Sequence, residues 1–411
     1  MRRILASLAI LTAVTLHNFQ AATSPLRKPK HYAVLIAASQ GWDNYRHQAD
    51  ICHAQEVLRN NGMDDEHIIL FSYDDAADSK INPIRGKLFN KPSGDSPGHN
   101  VRENCRVSYR GPQVTVDHFE AVLLGNLSGV PPGHPVLDST LNDFVFLNII
   151  AHGTATWMEF PDDGQLTKKR LRRILEQAKS RGKFKRMVVY VEACESGGMF
   201  EGLNEIPGIY VLTAANSKES SWATYCPWLF SQDHKNHDVV GGTEIGTCLG
   251  DLFSVNWMED SDLHRILDIP EKLIQQAQIV TFETNLSHVT QFGDRSVAQL
   301  EVTDFQGTTD GVVAKPSWLQ TTGEDQVREI LGRVGEVDPN KAEEYGRLSE
   351  LKKVSSVPAS YAAIYSAYAR LMREAAGPRN HASELRAAQV LLQALQERIR
   401  RLEGRVKERG E

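Results

Sequence analysis

Residues Phe144 to Ile150 form an almost wholly apolar run, Phe-Val-Phe-Leu-Asn-Ile-Ile, with no alternation of polar and apolar positions. A strand of that kind must be buried on both faces, which places it inside a sheet covered by helices on either side. Met187 to Ala193 and Ile209 to Ala215 repeat the character, and His31 to Ala38 and His67 to Tyr73 read as further strands. Helical patterns separate them, over Asp50 to Asn61, Val114 to Leu124, the Lys/Arg-rich Leu166 to Ser180, and Pro270 to Leu286. Alternation of this kind predicts an α/β fold with a mainly parallel central sheet. A last strand near Val297 to Val302 is expected to close the unit.

The character changes after Gln306. Gly307 to Asp310 and Pro316 to Asp325 read as a linker, so the expected division is 31–306, a linker over 307–325, and a helical region over 326–411. That last region is rich in Ala, Leu, Arg and Glu and is broken near Ser356-Val357-Pro358 and Gly377-Pro378. Residues 324–411 carry 16 Lys/Arg against 14 Asp/Glu, a net +2 in a chain of net −6, so the remainder carries −8. Electrostatic docking of the tail on the body fits this, and so do solvated helix faces. No basic patch with interleaved aromatic residues is present, which argues against nucleic acid as a partner.

At the start, Arg2 and Arg3 precede the apolar run Ile4 to Leu16, and small residues follow at Ala21 and Ala22. This is the pattern of a secretory signal peptide over 1–22, with an uncleaved anchor as the alternative reading. No later run reaches the roughly 18 apolar residues that a spanning helix needs. The secretory route gives meaning to five cysteines, an odd number that leaves at least one thiol free or paired outside the chain. Cys226 and Cys248 flank a polar segment and read as a clip across one long loop. Asn126 and Asn285, each in Asn-Leu-Ser, are acceptor sequons for glycosylation.

The chemistry lies where strands end, because in open α/β sheets the reactive crevice is beyond the carboxyl ends of the strands. Phe144 to Ile150 runs into Ala151-His152-Gly153, and Met187 to Ala193 into Cys194-Glu195-Ser196-Gly197. If the two strands are neighbours, His152 and Cys194 stand side by side, the imidazole serving to make the thiolate. The glycine-rich turns would free backbone N–H groups to face an oxyanion. Singly, each residue has a plain reading: a polar strand end for His152, an inert buried thiol for Cys194. The residues alone give nucleophilic catalysis without a substrate.

From residue 42 the chain resembles the legumain family of asparaginyl endopeptidases, also called vacuolar processing enzymes. The likeness rests on Trp42-Asp43-Asn44-Tyr45-Arg46-His47-Gln48-Ala49-Asp50, Ala151-His152-Gly153, Glu192-Ala193-Cys194-Glu195-Ser196-Gly197, Thr213-Ala214-Ala215-Asn216, Glu219-Ser220-Ser221 and Cys248-Leu249-Gly250-Asp251. It closes on Ser254-Val255-Asn256-Trp257-Met258-Glu259-Asp260-Ser261-Asp262 and spans roughly 31 to 306. The resemblance implies a caspase-like α/β/α sandwich with a helical, propeptide-like C-terminal region. It implies Cys194 as nucleophile, His152 as its partner, Asn44 as the orienting third member, and the Gly153 and Cys194 N–H groups as oxyanion donors. It also implies a specificity pocket of Arg46, His47, Glu192, Ser220 and Asp251. Arg46 would donate to the carbonyl of a substrate asparagine, and the carboxylates would accept from its amide and repel aspartate. Against this stand plain readings: an Arg46–Asp251 structural ion pair, a turn cap at Glu192, and a turn contact at Asn44.

The implied activity is a lysosomal, vacuolar or secreted cysteine endopeptidase cutting after Asn, and after Asp more weakly at acid pH. It needs neither metal nor cofactor. Its expected partners are protein or peptide substrates, its own C-terminal region as inhibitor, and cystatin-type inhibitors. Self-cleavage of such a zymogen would fall at Asp310, Asp325, Asn340 or Asn380. Three departures from the family stand out: Ala151 where an Asp usually precedes the histidine, a long 88–112 segment with Cys105, and Trp228, His234 and His237 in the 226–248 loop. Three rival activities remain: a transpeptidase, a GPI-transamidase-like catalytic subunit, and a silent binding homologue.

Overall fold

The computed structural model describes residues 27–202, 206–229, 231, 233, 235–267, 270–307 and 357–358. The signal-peptide reading, most of the linker, almost all of the helical C-terminal region, the four self-cleavage candidates and His234 fall outside the described residues.

The elements run β1 (His31–Ala37), α1 (Tyr45–Asn60), β2 (Ile68–Ser72), β3 (Tyr109–Arg110), α2 (Val116–Leu123), β4 (Phe144–Ile150), β5 (Trp157–Phe160), β6 (Gly164–Thr167), α3 (Lys168–Ser180), β7 (Arg186–Glu192) and β8 (Ile209–Thr213). There follow β9 (Trp222–Thr224), β10 (Val239–Val240), β11 (Thr243–Glu244), β12 (Gly250–Asp251), α4 (Leu252–Leu267), α5 (Leu273–Glu283), β13 (Thr290–Gly293), α6 (Thr303–Gln306) and β14 (Val357–Pro358). Seven strands form the central sheet in the order β13-β8-β7-β4-β1-β2-β3. All neighbours are parallel except β13, which runs antiparallel to β8.

The doubly apolar strands follow from what covers each face. Ala33, Leu35 and Ala37 of β1 join one buried cluster with residues of α1, α4 and α5, whereas Tyr32, Val34 and Ile36 join the other with α2 and α3. Successive side chains point to opposite faces, so a strand with helices on both sides needs apolar residues at every position. The result is an α/β/α sandwich, as the sequence patterns predict. Thr115 and Thr167 cap α2 and α3 by accepting from the His118 and Arg170 amides.

Three boundaries differ from expectation. Helix α1 begins at Tyr45 instead of Asp50, because its first turns bury polar side chains (Arg46, His47, Gln48) and show no apolar periodicity. Leu166 and Thr167 belong to the β5–β6 hairpin, and α3 starts after Thr167. The expected last strand at Val297 to Val302 is corrected: Val297–Gln299 is a 3-10 turn, and the closing strand is β13. Val297, Ala298 and Val302 are apolar because they pack into the core from a loop. By contrast β13 is a half-buried edge strand of sequence Thr-Gln-Phe-Gly, with no apolar signature.

The strand order reverses between β1 and β4, and the crevice beyond their carboxyl ends is where such sheets bind ligands. A small second sheet, β12-β9-β14, stands beside that edge. No helix among the described residues is long and apolar enough to cross a membrane.

Candidate active site

Register brings the two reactive residues together. Ile150 of β4 pairs with Glu192 of β7, and the Ala151 amide donates to the Glu192 carbonyl at 3.0 Å. His152 and Cys194 therefore each lie two residues beyond a matched pair on adjacent parallel strands. Glu195 turns the chain with φ +52°, opening a short 3-10 helix at Ser196–Met199. A side chain at position 153 would press on Ala193 Cβ at 3.1 Å and the Cys194 carbonyl oxygen at 3.2 Å, closer than ordinary packing, so glycine is the residue that fits without a shift. The amides of Gly153 and Cys194 donate to no acceptor among the described residues, leaving both available to a developing oxyanion.

The hydrogen-bond network also assigns the imidazole tautomer. Asn44 Nδ2 donates to the Gln40 carbonyl at 2.8 Å, so its Oδ1 is the atom facing His152 Nε2 at 2.7 Å. Nε2 must carry the proton there, which leaves Nδ1 with its lone pair. Burial, and after it the charge of Arg46, pulls His152 down to about 3. Burial pushes the Cys194 thiol up, opposed by hydrogen bonds from Ser221 and Ser220. Both shifts favour the neutral forms, a thiol on Cys194 and an imidazole on His152.

The expected pocket residues are joined to this pair. The His47 ring lies 5.1 Å from the His152 ring, its Nδ1 is 2.7 Å from Ser39 Oγ, and its Nε2 is 3.4 Å from Asp251 Oδ2. Arg46 Nε donates to Asp251 Oδ1 at 2.8 Å, with both side chains at most 1% exposed. The structural ion pair is thus present, and it is also what aims Asp251. Glu192 Oε2 accepts from the Ser254 amide at 3.0 Å and its hydroxyl at 3.1 Å, in the first turn of α4, while Oε1 has no hydrogen-bond partner. Burial, then the charge of Asp251, raises Glu192 to about 8. Burial likewise raises Asp251, against the pull of Arg46. Ser221 links the two centres: its hydroxyl is 4.0 Å from Cys194 Sγ and bonds to Glu192.

Ser221, Ser254, Asp50 and Asn90 were not singled out by sequence reasoning. The first three lie inside the matched motif blocks without a distinctive chemistry of their own, and Asn90 lies in the long 88–112 segment. The cysteines resolve fully among the described residues. Cys226–Cys248 is bonded as expected, Cys52–Cys105 is a second disulfide, and Cys194 alone is free. Both sequon asparagines, Asn126 and Asn285, are exposed, and Ser128 donates to the Asn126 side-chain oxygen at 2.8 Å. Trp228 and His237 sit in the 226–248 loop, where the His237 ring is held by Asp233 at 2.8 Å. A surface recess of about 620 Å³, lined by Asp64, Asp65 and Arg106, adjoins the opposite end of β2 and holds none of these groups.

A family model described as the peptidase C13 family matches residues 31–308. The chain is 42% identical over 287 residues to a vacuolar-processing enzyme delta-isozyme of Arabidopsis thaliana, covering 68% of this chain and 59% of that protein. It is 40% identical over 280 residues to a legumain of Mus musculus, covering 68% and 59% respectively. The chain thus spans about three-fifths of the length of these curated relatives. Among solved structures, a caspase-1 of Spodoptera frugiperda aligns with 65% of this chain and 87% of its own at 8% identity and a TM-score of 0.35, too loose a likeness to argue from.

Proposed function

The chain belongs to the peptidase C13 family, and from that premise we propose that it is a cysteine endopeptidase that cleaves after asparagine. The observation that carries this reading is the Asn44–His152–Cys194 row standing against a buried pocket of one guanidinium and several carboxyls. Asn44 holds the imidazole in the tautomer that frees Nδ1. Nδ1 takes the thiol proton as Sγ attacks the carbonyl carbon after the asparagine. The Gly153 and Cys194 amides stabilise the oxyanion, the imidazolium returns the proton to the leaving amine, and water hydrolyses the thioester.

Substrate selection follows from donors and acceptors. The side chain of asparagine offers one acceptor and a two-proton donor. Arg46 supplies a donor, and Glu192 Oε1 and Asp251 Oδ2 are buried acceptors without hydrogen bonds of their own. Two disulfides fit synthesis in the secretory pathway, with a vacuole, a lysosome or the outside as destination. The test is turnover of a fluorogenic asparagine peptide against its aspartate counterpart. Cys194→Ala is expected to abolish cleavage, and retained activity in the purified variant would reject the assignment.

The same reading makes the full chain a zymogen. Strand β14, from the C-terminal region, pairs antiparallel with β9, with Val357 opposite Ala223 and Pro358 opposite Trp222. Trp222 directly follows Ser221, so β14 runs toward Cys194 along the edge an extended substrate would use. Incubation at acid pH with mass spectrometry tests this: shortening that accompanies a rise in activity is expected. An unshortened chain that is fully active from the start would reject it.

A further inference from the structure

The pocket contains one ionisable group that none of the steps above uses. Asp50 sits on α1 one turn beyond Arg46 and is fully buried. Its Oδ1 accepts from Asn90 Nδ2 at 2.6 Å and its Oδ2 from the Asp251 backbone amide at 3.1 Å. The charge of Asp251 also acts directly on the Asp50 carboxyl. Asn90 is itself oriented, because His53 Nδ1 lies 2.8 Å from its Oδ1 while Nδ2 donates a second time to the Leu249 carbonyl. Gly250, directly before Asp251, leaves the room: a Cβ there would stand 2.8 Å from Asn90 Nδ2 and 3.0 Å from Asp50 Oδ1. The neighbourhood is built to hold one carboxyl behind Asp251.

Charge counting says in which state. Among the described residues, the charged groups acting on Asp50 are Asp251 on β12 and Glu192 on β7, with Arg46 and His47 a turn away on its own helix and His53 behind Asn90. Burial, and after it Arg46 and His152, keeps the His47 ring neutral. One guanidinium therefore stands against three buried carboxyls, and a buried charge without a partner is strongly disfavoured. Arg46 lies on Asp251, which is accordingly the ionised member. No cation is paired with Asp50 among the described residues, and burial and the charge of Asp251 push it well above the usual carboxylate range.

We propose that Asp50 is a positioning residue of this pocket: it holds Asp251 by its backbone amide, and the proton it carries sets the upper pH limit of asparagine binding. When Asp50 loses that proton, two adjacent carboxylates compete for Arg46 and Asp251 is released from its aim. This inference rests on the asparagine-pocket reading. Two variants test it through the pH profile of kcat/KM on an asparagine peptide. Asp50→Asn keeps an acceptor for the Asp251 amide but cannot ionise, so the alkaline limb should move up by at least one pH unit, with no more than a tenfold loss at the optimum. Asn90→Ala removes a hydrogen bond that favours ionised Asp50, so its limb should also move up. An even loss at every pH, with the limb of both variants where the wild type has it, would overturn the proposal and leave Asp50 a packing residue. If Asp50→Asn does not fold, Asn90→Ala decides. Wild-type turnover is the control. Without it the asparagine reading fails by itself, and the role of Asp50 is then read from thermal unfolding against pH. There the wild type should lose stability as pH rises through the Asp50 titration, and Asp50→Asn should lose less. Parallel curves would overturn the proposal.

Discussion

Replacing Glu192 with glutamine probes how the pocket tells asparagine from aspartate. Glu192 Oε2 is fixed by the Ser254 amide and hydroxyl, so the atom facing the pocket is Oε1. Burial and Asp251 raise the empty-pocket carboxyl to about 8, so below that pH it is protonated. The amide of an asparagine donates hydrogen bonds and favours the carboxylate, so its binding expels the proton. At roughly 1.4 kcal/mol per pH unit, asparagine gains up to tenfold per unit as pH rises toward 8. A substrate aspartate gains nothing, since it needs a proton on one partner or the other. The ratio of kcat/KM for asparagine over aspartate peptides should therefore climb with pH more steeply than the titration of the substrate alone requires. In Glu192→Gln the carboxamide oxygen stays on Ser254 and an NH₂ faces the pocket at every pH. Two donors then meet, at about 1–3 kcal/mol, so asparagine turnover should drop roughly 10- to 100-fold. The slope of the logarithm of the ratio against pH should fall by up to one. Paired peptides at five pH values between 5 and 7 measure it, and an unchanged slope would refute the protonation argument.

Three further outcomes follow from the geometry. Asn44→Ala removes the acceptor on His152 Nε2 and frees the tautomer and the ring, so kcat should fall on the order of 10- to 100-fold with KM nearly unchanged; steady-state kinetics checks the split. Gly250→Ala puts a methyl 2.5 Å from Val255 Cγ2 and should cost about 1–3 kcal/mol, with KM rising more than kcat falls; thermal unfolding and kinetics together check this. Cys105→Ser opens a disulfide joining residues 53 apart, at a cost of about 2–4 kcal/mol; scanning calorimetry should give a lower Tm, and activity at low temperature should persist.

Much of the scaffold was legible because its strands are apolar on both faces, a pattern that only a helix-covered parallel sheet requires. His152 and Cys194 were legible for the related reason that they end two such runs. Asn44, Arg46 and His47 were not, except through the motif they share with a family. They lie in the first turns of α1, where buried polar side chains erase the helical period that marks a helix in sequence. The same effect hid Asp50, an ordinary surface-type residue until Asn90 and Asp251 close around it from segments 40 and 201 positions away. Strand β13 escaped because an edge strand needs only one half-buried face, and Val297 to Val302 misled because a loop under a sheet is as apolar as a strand. The Cys52–Cys105 bridge joins α1 to the long 88–112 segment, and nothing local to either cysteine announces it.

Strand β9 has Asp251 on one side, through β12, and β14 on the other. An edge of this kind can be filled only by a chain drawn out straight, with its amides and carbonyls turned sideways. On the proposed reading, in which a substrate takes the place of β14 on this edge, a polypeptide must surrender whatever coil or sheet it belongs to over several residues before its asparagine can enter. For an asparagine inside a stable helix that loss amounts to local unfolding, whereas in a loose surface loop it is nearly free. Cleavage maps of folded proteins should then follow their flexibility more closely than their asparagine count. Heating or partly denaturing a substrate should expose new cuts well before it raises the rate at the old ones.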